Sequence, residues 1–213
     1  MSVPTLRNPP VALLEIYSLG AALVVLDRVE KAAGVRVLQA ELNDNYGLLL
    51  KLTGDSASVR LAMDGARAIT QAMHVELTAS VLDAPAPGAW AVIAGPPEYQ
   101  PLLEQQVVFI PRPEDFTMTE KTKVPEALGL LETQGFTAVT AATDAACKAA
   151  NVRVIAKEKL GGGYITVIFE GDIAAVTAAV EAGRTAAETV GKLISAYVIA
   201  RPSEGVAQIL TRL

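Results

Sequence analysis

LLEIYSLGAALVVLDRVEKAAGVRVLQAEL (13–42) and LLETQGFTAVTAATDAACKAANVRVIAKEK (130–159) are two versions of one stretch, 117 residues apart. The correspondence continues without a gap: Gly54-Asp55 falls on Gly171-Asp172, Arg67 on Arg184 and Pro85 on Pro202. Of the 75 pairs from Val11 to Pro85, 21 are identical. A gap-free match of this length marks a duplicated domain, and a repeat has to be recognised before any single element is read. A chain of 213 residues holds two such units of about 75–90 residues each.

Each unit reads strand, helix, strand, strand, helix, strand. In the first, VALLEI (11–16) is an apolar strand, and GAALVVLDRVEKAA (20–33) spaces its apolar residues by three and four, as a helix does. Gly34 ends that helix. VRVLQAEL (35–42) alternates like a half-buried strand, and YGLLLKLTG (46–54) follows it. Asp55 or Ser56 caps a second helix over 57–73, and ELTASVL (76–82) closes the unit. The second unit gives 127–133, 137–150, 152–159, 163–170, 173–190 and 193–200, with short helical tails at 88–94 and 205–212. This order predicts an α+β fold of two tandem ferredoxin-like (βαββαβ) domains, each an antiparallel sheet with both helices on one face. The expected boundaries are 1–95, an insertion and linker over 96–125, and 126–213. The insertion is rich in proline, QQVVFIP (105–111) is a candidate edge strand, and TMTEKTK (117–123) is a polar linker.

The composition narrows the function classes. The net charge is −5 and the 18 basic residues are scattered, which argues against a nucleic-acid protein. No apolar run approaches the ~20 residues of a membrane span, and the start lacks a secretory pattern, so a cytosolic protein is expected. The one cysteine, Cys147, and the one histidine, His74, exclude a thiolate cluster and most histidine-built metal sites. Cys147 is expected to be buried beside the core, and His74 to lie in a solvated turn. Glu15 and Glu132 recur at the end of the first strand, which leaves two readings open, an acid/base pair or duplicated structural carboxylates. LGGGY (160–164) joins two strands, the wrong context for a phosphate loop, which runs into a helix and ends in Gly-Lys-Ser/Thr. No catalytic residues, metal or cofactor are expected.

The stretch from ALGLLETQGF to the closing IARP (127–202) resembles a bacterial microcompartment shell domain. The features that carry the resemblance are the opening strand with its glutamate, the helix end D-x-x-x-K-A-A-N-V, the loop EK-L-G-G-G, the segment GD-x-x-A-V-x-A-A-V-x-A-G and the final I-A-R-P. The first repeat is a divergent copy in the same unpermuted order. The resemblance implies a tandem-domain shell protein, a homotrimer whose six domains make a pseudohexamer with a central pore. It implies a structural role in the microcompartment shell in the bacterial cytoplasm, metabolite passage through the pore, and no enzymatic activity. The implied partners are other shell proteins, hexameric and pentameric, and encapsulated enzymes. The alternative on the same fold is a cytosolic ligand-binding regulator.

The resemblance also implies site residues. The pore falls at the loop between the second and third strands: Leu42, Asn43, Asp44, Asn45 and Tyr46 in one repeat, Lys159, Leu160, Gly161, Gly162 and Gly163 in the other. The first set departs from the family's glycine-rich loop and would place carboxylates and tyrosine rings at a threefold axis. Lys31 and Lys148 match the lysine of the tile edge, and Arg201 matches the arginine that accompanies it. The first repeat has Ala84 there, and Arg112 of IPRPED is the candidate substitute. Some tandem shell proteins hold an iron–sulfur cluster through pore cysteines, and these loops have none.

Overall fold

The computed structural model describes residues 9–43, 47–95, 107–109 and 124–210. The first domain consists of β1 (Val11–Ile16), α1 (Leu19–Ala33), β2 (Arg36–Asn43), β3 (Gly47–Thr53), α2 (Ser56–Ala72) and β4 (Leu77–Leu82). A short tail carries α3 (Trp90–Ile93), and the insertion supplies β5 (Val107–Phe109). The second domain repeats the order with β6 (Ala127–Gln134), α4 (Phe136–Ala149), β7 (Arg153–Lys159), β8 (Tyr164–Gly171), α5 (Ile173–Val190) and β9 (Lys192–Ala200), followed by α6 (Glu204–Leu210).

Both sheets are antiparallel. The second has the order β7-β8-β6-β9, and the first has the equivalent β4-β1-β3-β2 with β5 added outside β2. The expected edge strand within 105–111 is therefore present, pairing Phe109 with Ala40 and Val107 with Glu41. The duplication extends to irregularities: the register slips between Val37 and Gln39 in one domain and between Val154 and Ala156, 117 residues on, in the other.

Local chemistry sets most helix starts. Ser18 Oγ accepts from the Ala21 N–H at 3.1 Å, Asp55 Oδ1 from Ser58 at 2.8 Å and Asp172 Oδ1 from Ala175 at 2.7 Å. Each answers an N–H that the first turn leaves without a helical partner. The start of α4 is different: its cap position is Gly135, which brings no side-chain acceptor.

The two helices equivalent by duplication are buried differently. In α4 the buried residues are Ala138, Val139, Ala142 and Ala146, a single stripe packed against α5 and its own sheet. Their counterparts Ala21, Ala22, Val25 and Val29 are buried in α1, but so are Leu19, Leu23, Val24, Leu26 and Asp27. That second face of α1 packs on the second domain. Its core runs without interruption into Leu128, Leu130, Ile168 and Ile199 of the second sheet and Val206 and Ile209 of α6. Cys147 is exposed, which corrects its expected burial. It follows Ala146 by one residue, about 100° further round the helix, and so points away from the core stripe.

Candidate functional site

The two loops expected at a pore occupy equivalent hairpins. Leu42 is buried near the end of β2, and Asn43 pairs with Gly47 across the hairpin. Asp44, Asn45 and Tyr46 lie outside the described residues. In the second repeat Lys159 ends β7 with an exposed side chain, Leu160 is buried, and Gly161–Gly163 make one 3₁₀ turn. Gly162 and Gly163 have φ of 71° and 81°, a left-handed pair that side chains oppose and glycine tolerates. The loop is tied to the start of α4: the Gly135 N–H donates to Gly163 O at 2.8 Å and Gln134 Nε2 to Gly162 O at 3.3 Å.

The contact between the domains is an apolar seam with a polar cluster at each end. At one end Glu132, fully buried on β6, accepts from the Ser18 hydroxyl, from Ser195 Oγ at 3.2 Å and from the Leu19 N–H at 3.4 Å. A carboxylate of the second domain thus completes the helix start of the first, where the helix dipole favours negative charge. At the other end Asp27 Oδ1 accepts from Ser203 N at 2.8 Å, and Glu30 Oε2 from Ser203 Oγ at 2.6 Å and Gly205 N at 3.1 Å. Lys31 Nζ meets Asp27 at 2.6 Å and donates to Ala200 O at 3.2 Å. Sequence reading left Glu132 between two roles. The geometry makes it structural here, and Glu15 lies apart from it on the outer face of the other sheet, half-buried.

Burial pushes the Glu132 carboxyl above its ordinary range, against the opposing pull of the hydrogen bonds from Ser18, Ser195 and Leu19. A raised folded-state pKa means that folding favours the neutral acid. That contribution is whole below the ordinary carboxylate pKa and is lost as pH rises through the folded value. Glu132→Gln is expected to fold and to lose this part of the pH dependence. Glu132→Ala strands two buried hydroxyls and is expected to lose about 1–3 kcal/mol. Urea unfolding of the three proteins between about pH 4 and pH 7 checks both, the pH effect being the difference between wild type and Gln.

The surfaces that meet inside the chain recur, unmated, elsewhere on it. Leu19 is fully buried, and its counterpart Phe136 is 61 % exposed. Ile209 is fully buried, whereas Val92 is 81 % exposed; Val37 is 5 % exposed and Val154 39 %. Thr140, exposed on α4, stands where α1 has the buried Leu23. The polar end of the seam also has its counterpart, since Asp144, Cys147 and Lys148 are exposed at the positions of Asp27, Glu30 and Lys31. On the receiving side, Leu13, Glu15 and Leu49 are half-buried where Leu130, Glu132 and Thr166 are covered by α1.

Of the expected edge residues, Lys31 has a side chain 44 % exposed at the rim of the seam, and Lys148 is exposed and pairs with Asp144 at 2.6 Å. Arg201 is exposed with φ of 48°, its N–H donating to Glu126 O at 2.7 Å. Arg112 lies outside the described residues. His74 sits exposed in the turn after α2. Among the described residues no group of three or more His, Cys, Asp or Glu is placed to hold a metal ion, and no helix is long and apolar enough to cross a membrane.

The family profile described as the BMC domain matches residues 11–85 and again 127–202. The chain is 48 % identical over 87 residues to the bacterial microcompartment shell protein PduA of Citrobacter freundii, a match spanning 41 % of this chain and 94 % of PduA. It is 49 % identical over 86 residues to the carboxysome shell protein CsoS1A of Hydrogenovibrio crunogenus, covering 40 % of this chain and 90 % of the relative. A longer match, 31 % identical over 185 residues, is to the carboxysome assembly protein CcmO of Synechococcus elongatus, covering 87 % of this chain and 62 % of CcmO. With its duplicated sequence, two equivalent sheets and a profile match to each half, the chain belongs to the BMC-domain family and carries two of these domains in tandem.

Proposed function

We propose that this protein is a structural tile of a bacterial microcompartment shell, held in the cytoplasm with other shell proteins around encapsulated enzymes. Three copies close into a ring of six domains. The parts are a first domain over 1–95, an insertion over 96–125 and a second domain over 126–213. The relatives, PduA and CsoS1A as shell proteins and CcmO as an assembly protein, support the shell role.

The observation that carries the ring is the unmated second copy of the seam. Inside the chain, a helix of domain one lies on the sheet of domain two. The equivalent helix α4 and the sheet of domain one offer the same partners to neighbouring copies. An interface between two different surfaces propagates head to tail, and it ends in a ring when the rotation closes. Exposed Phe136, Val92 and Val154 are then the residues that closure covers.

In this ring the β2–β3 and β7–β8 loops meet at the axis. Leu42, Asn43, Asp44, Asn45 and Tyr46 alternate with Lys159, Leu160, Gly161, Gly162 and Gly163 around a metabolite pore. Carboxylates of Asp44 at such a mouth favour cations over small anions. Lys31, Lys148, Arg201 and Arg112 belong to the perimeter, where rings pack into sheets.

The single cysteine allows a direct test. Ser203 touches Glu30 within the chain at 2.6 Å, and the counterparts of that pair are Ala86 and Cys147, both exposed. In Ala86→Cys, a short bis-maleimide is expected to join copies into covalent dimers and trimers, with wild type as the one-cysteine control. Chains that stay monomeric on a denaturing gel, although both thiols accept a monofunctional maleimide, would refute the arrangement.

A further inference from the structure

We infer that Glu15 of one copy caps the start of α4 in the next copy, as Glu132 does for α1 within the chain. The inference rests on the ring proposed above and deepens it by naming the contact that joins one copy to another at this end of the seam.

Three observations lead to it. First, α1, α2 and α5 begin on side-chain acceptors, Ser18, Asp55 and Asp172. The fourth long helix, α4, begins on Gly135 with none, although its first-turn N–H groups need acceptors as much as the others do. Second, Glu15 occupies in the first sheet the register position that Glu132 occupies in the second. Glu15 lies between Leu49 and Thr78, and Glu132 between Thr166 and Ser195. Among the described residues the Glu15 carboxylate has no hydrogen-bond partner, and its strand position is half-buried on the sheet face turned away from its own core, where the short α3 reaches only as far as Lys51, whose Nζ donates to Val92 O at 3.4 Å. Third, the surroundings continue the equivalence, because exposed Phe136 stands for Leu19, whose N–H is the one Glu132 accepts.

The two ends are not identical, and the difference strengthens the assignment. Ser18 Oγ accepts from the turn at Ala21 N–H, and its hydroxyl donates a hydrogen bond to Glu132. Gly135 has no hydroxyl, so a carboxylate from outside has to meet the N–H groups of Phe136 and Thr137 directly. A charged acceptor at a bare helix start gains both the hydrogen bond and the favourable dipole. The same turn donates the Gly135 N–H to Gly163 of the glycine loop, so the contact would also fix the base of that loop.

The test is a double-mutant cycle on the monomer–trimer equilibrium, read by analytical ultracentrifugation of the full chain. Glu15→Ala is expected to weaken each contact about fivefold, and the three contacts together about a hundredfold. Glu15→Gln keeps an acceptor without the charge and is expected to lose about half as much on a logarithmic scale. Thr137 is exposed in the first turn of α4, so Thr137→Asp supplies a carboxylate from within the helix. Alone it sets two carboxylates together and weakens the trimer, whereas in the Glu15→Ala background it restores it. Trimer affinity unchanged in Glu15→Ala, or effects that simply add in the double variant, would overturn the inference while leaving the ring standing. A wild-type chain that is monomeric would remove the ring itself. Should Glu15→Ala fail to fold by circular dichroism, the Gln variant and its cycle with Thr137→Asp carry the same decision.

Discussion

Thr140→Arg is expected to leave the chain folded and make it monomeric. In the single chain Thr140 is exposed, and among the described residues its hydroxyl bonds only to Phe136 O within the helix, at 2.9 Å. An exposed helix position tolerates arginine within about 0.5 kcal/mol. Its counterpart Leu23 is fully buried on the side of α1 turned from its own sheet, against the second domain. A guanidinium forced into the equivalent seam between copies would be buried without a partner, at about 3 kcal/mol or more per contact. Three contacts per ring multiply that to about a millionfold in the association constant. Sedimentation velocity together with circular dichroism separates loss of assembly from loss of fold. A trimer that survives the arginine would place α4 outside the ring contact.

The second large effect is expected at the perimeter. Lys148→Asp should keep the trimer and abolish extended sheets seen by electron microscopy. Within the ring the lysine matches Lys31, whose bond to Ala200 O is exposed, and an exposed contact of this kind contributes at most about 1 kcal/mol. With the lysine at the proposed edge between rings, the same substitution would repeat along every edge and turn a donor into an acceptor at each. Sheets of normal order in Lys148→Asp would remove the lysine from the edge, and monomers would move it into the ring.

Much of the fold was legible because duplication and periodicity agree. Val11–Ile16 and Ile173–Val190 fall where their patterns place them, and the strand order follows from two helical crossovers per domain. The seam was also half-written. GAALVVLDRV is apolar around nearly its whole circumference, while the equivalent stretch of α4 alternates alanine with Thr137, Thr140 and Thr143. A helix apolar on all sides is buried on all sides, and comparing the repeats for that property would have found the domain contact.

Other features depend on groups far apart in sequence. Nothing local brings Ser203 to Glu30, 173 residues away, or sets a carboxylate of β6 on the start of α1. Cys147 was misplaced for a simpler reason: in a helix of small residues the apolar stripe is poorly marked, and one position separates the core-facing Ala146 from the exposed thiol. The loops were legible as hairpins, and the role proposed for them at an axis is a property of an assembly rather than of one chain.

The measurement that tests the account most directly is the mass of the wild-type protein in solution at micromolar concentration. Closure of the ring predicts a single species of three 22.3-kDa chains, unchanged on moderate dilution. A stable monomer or dimer would contradict it, because either would leave a copy of the seam permanently open.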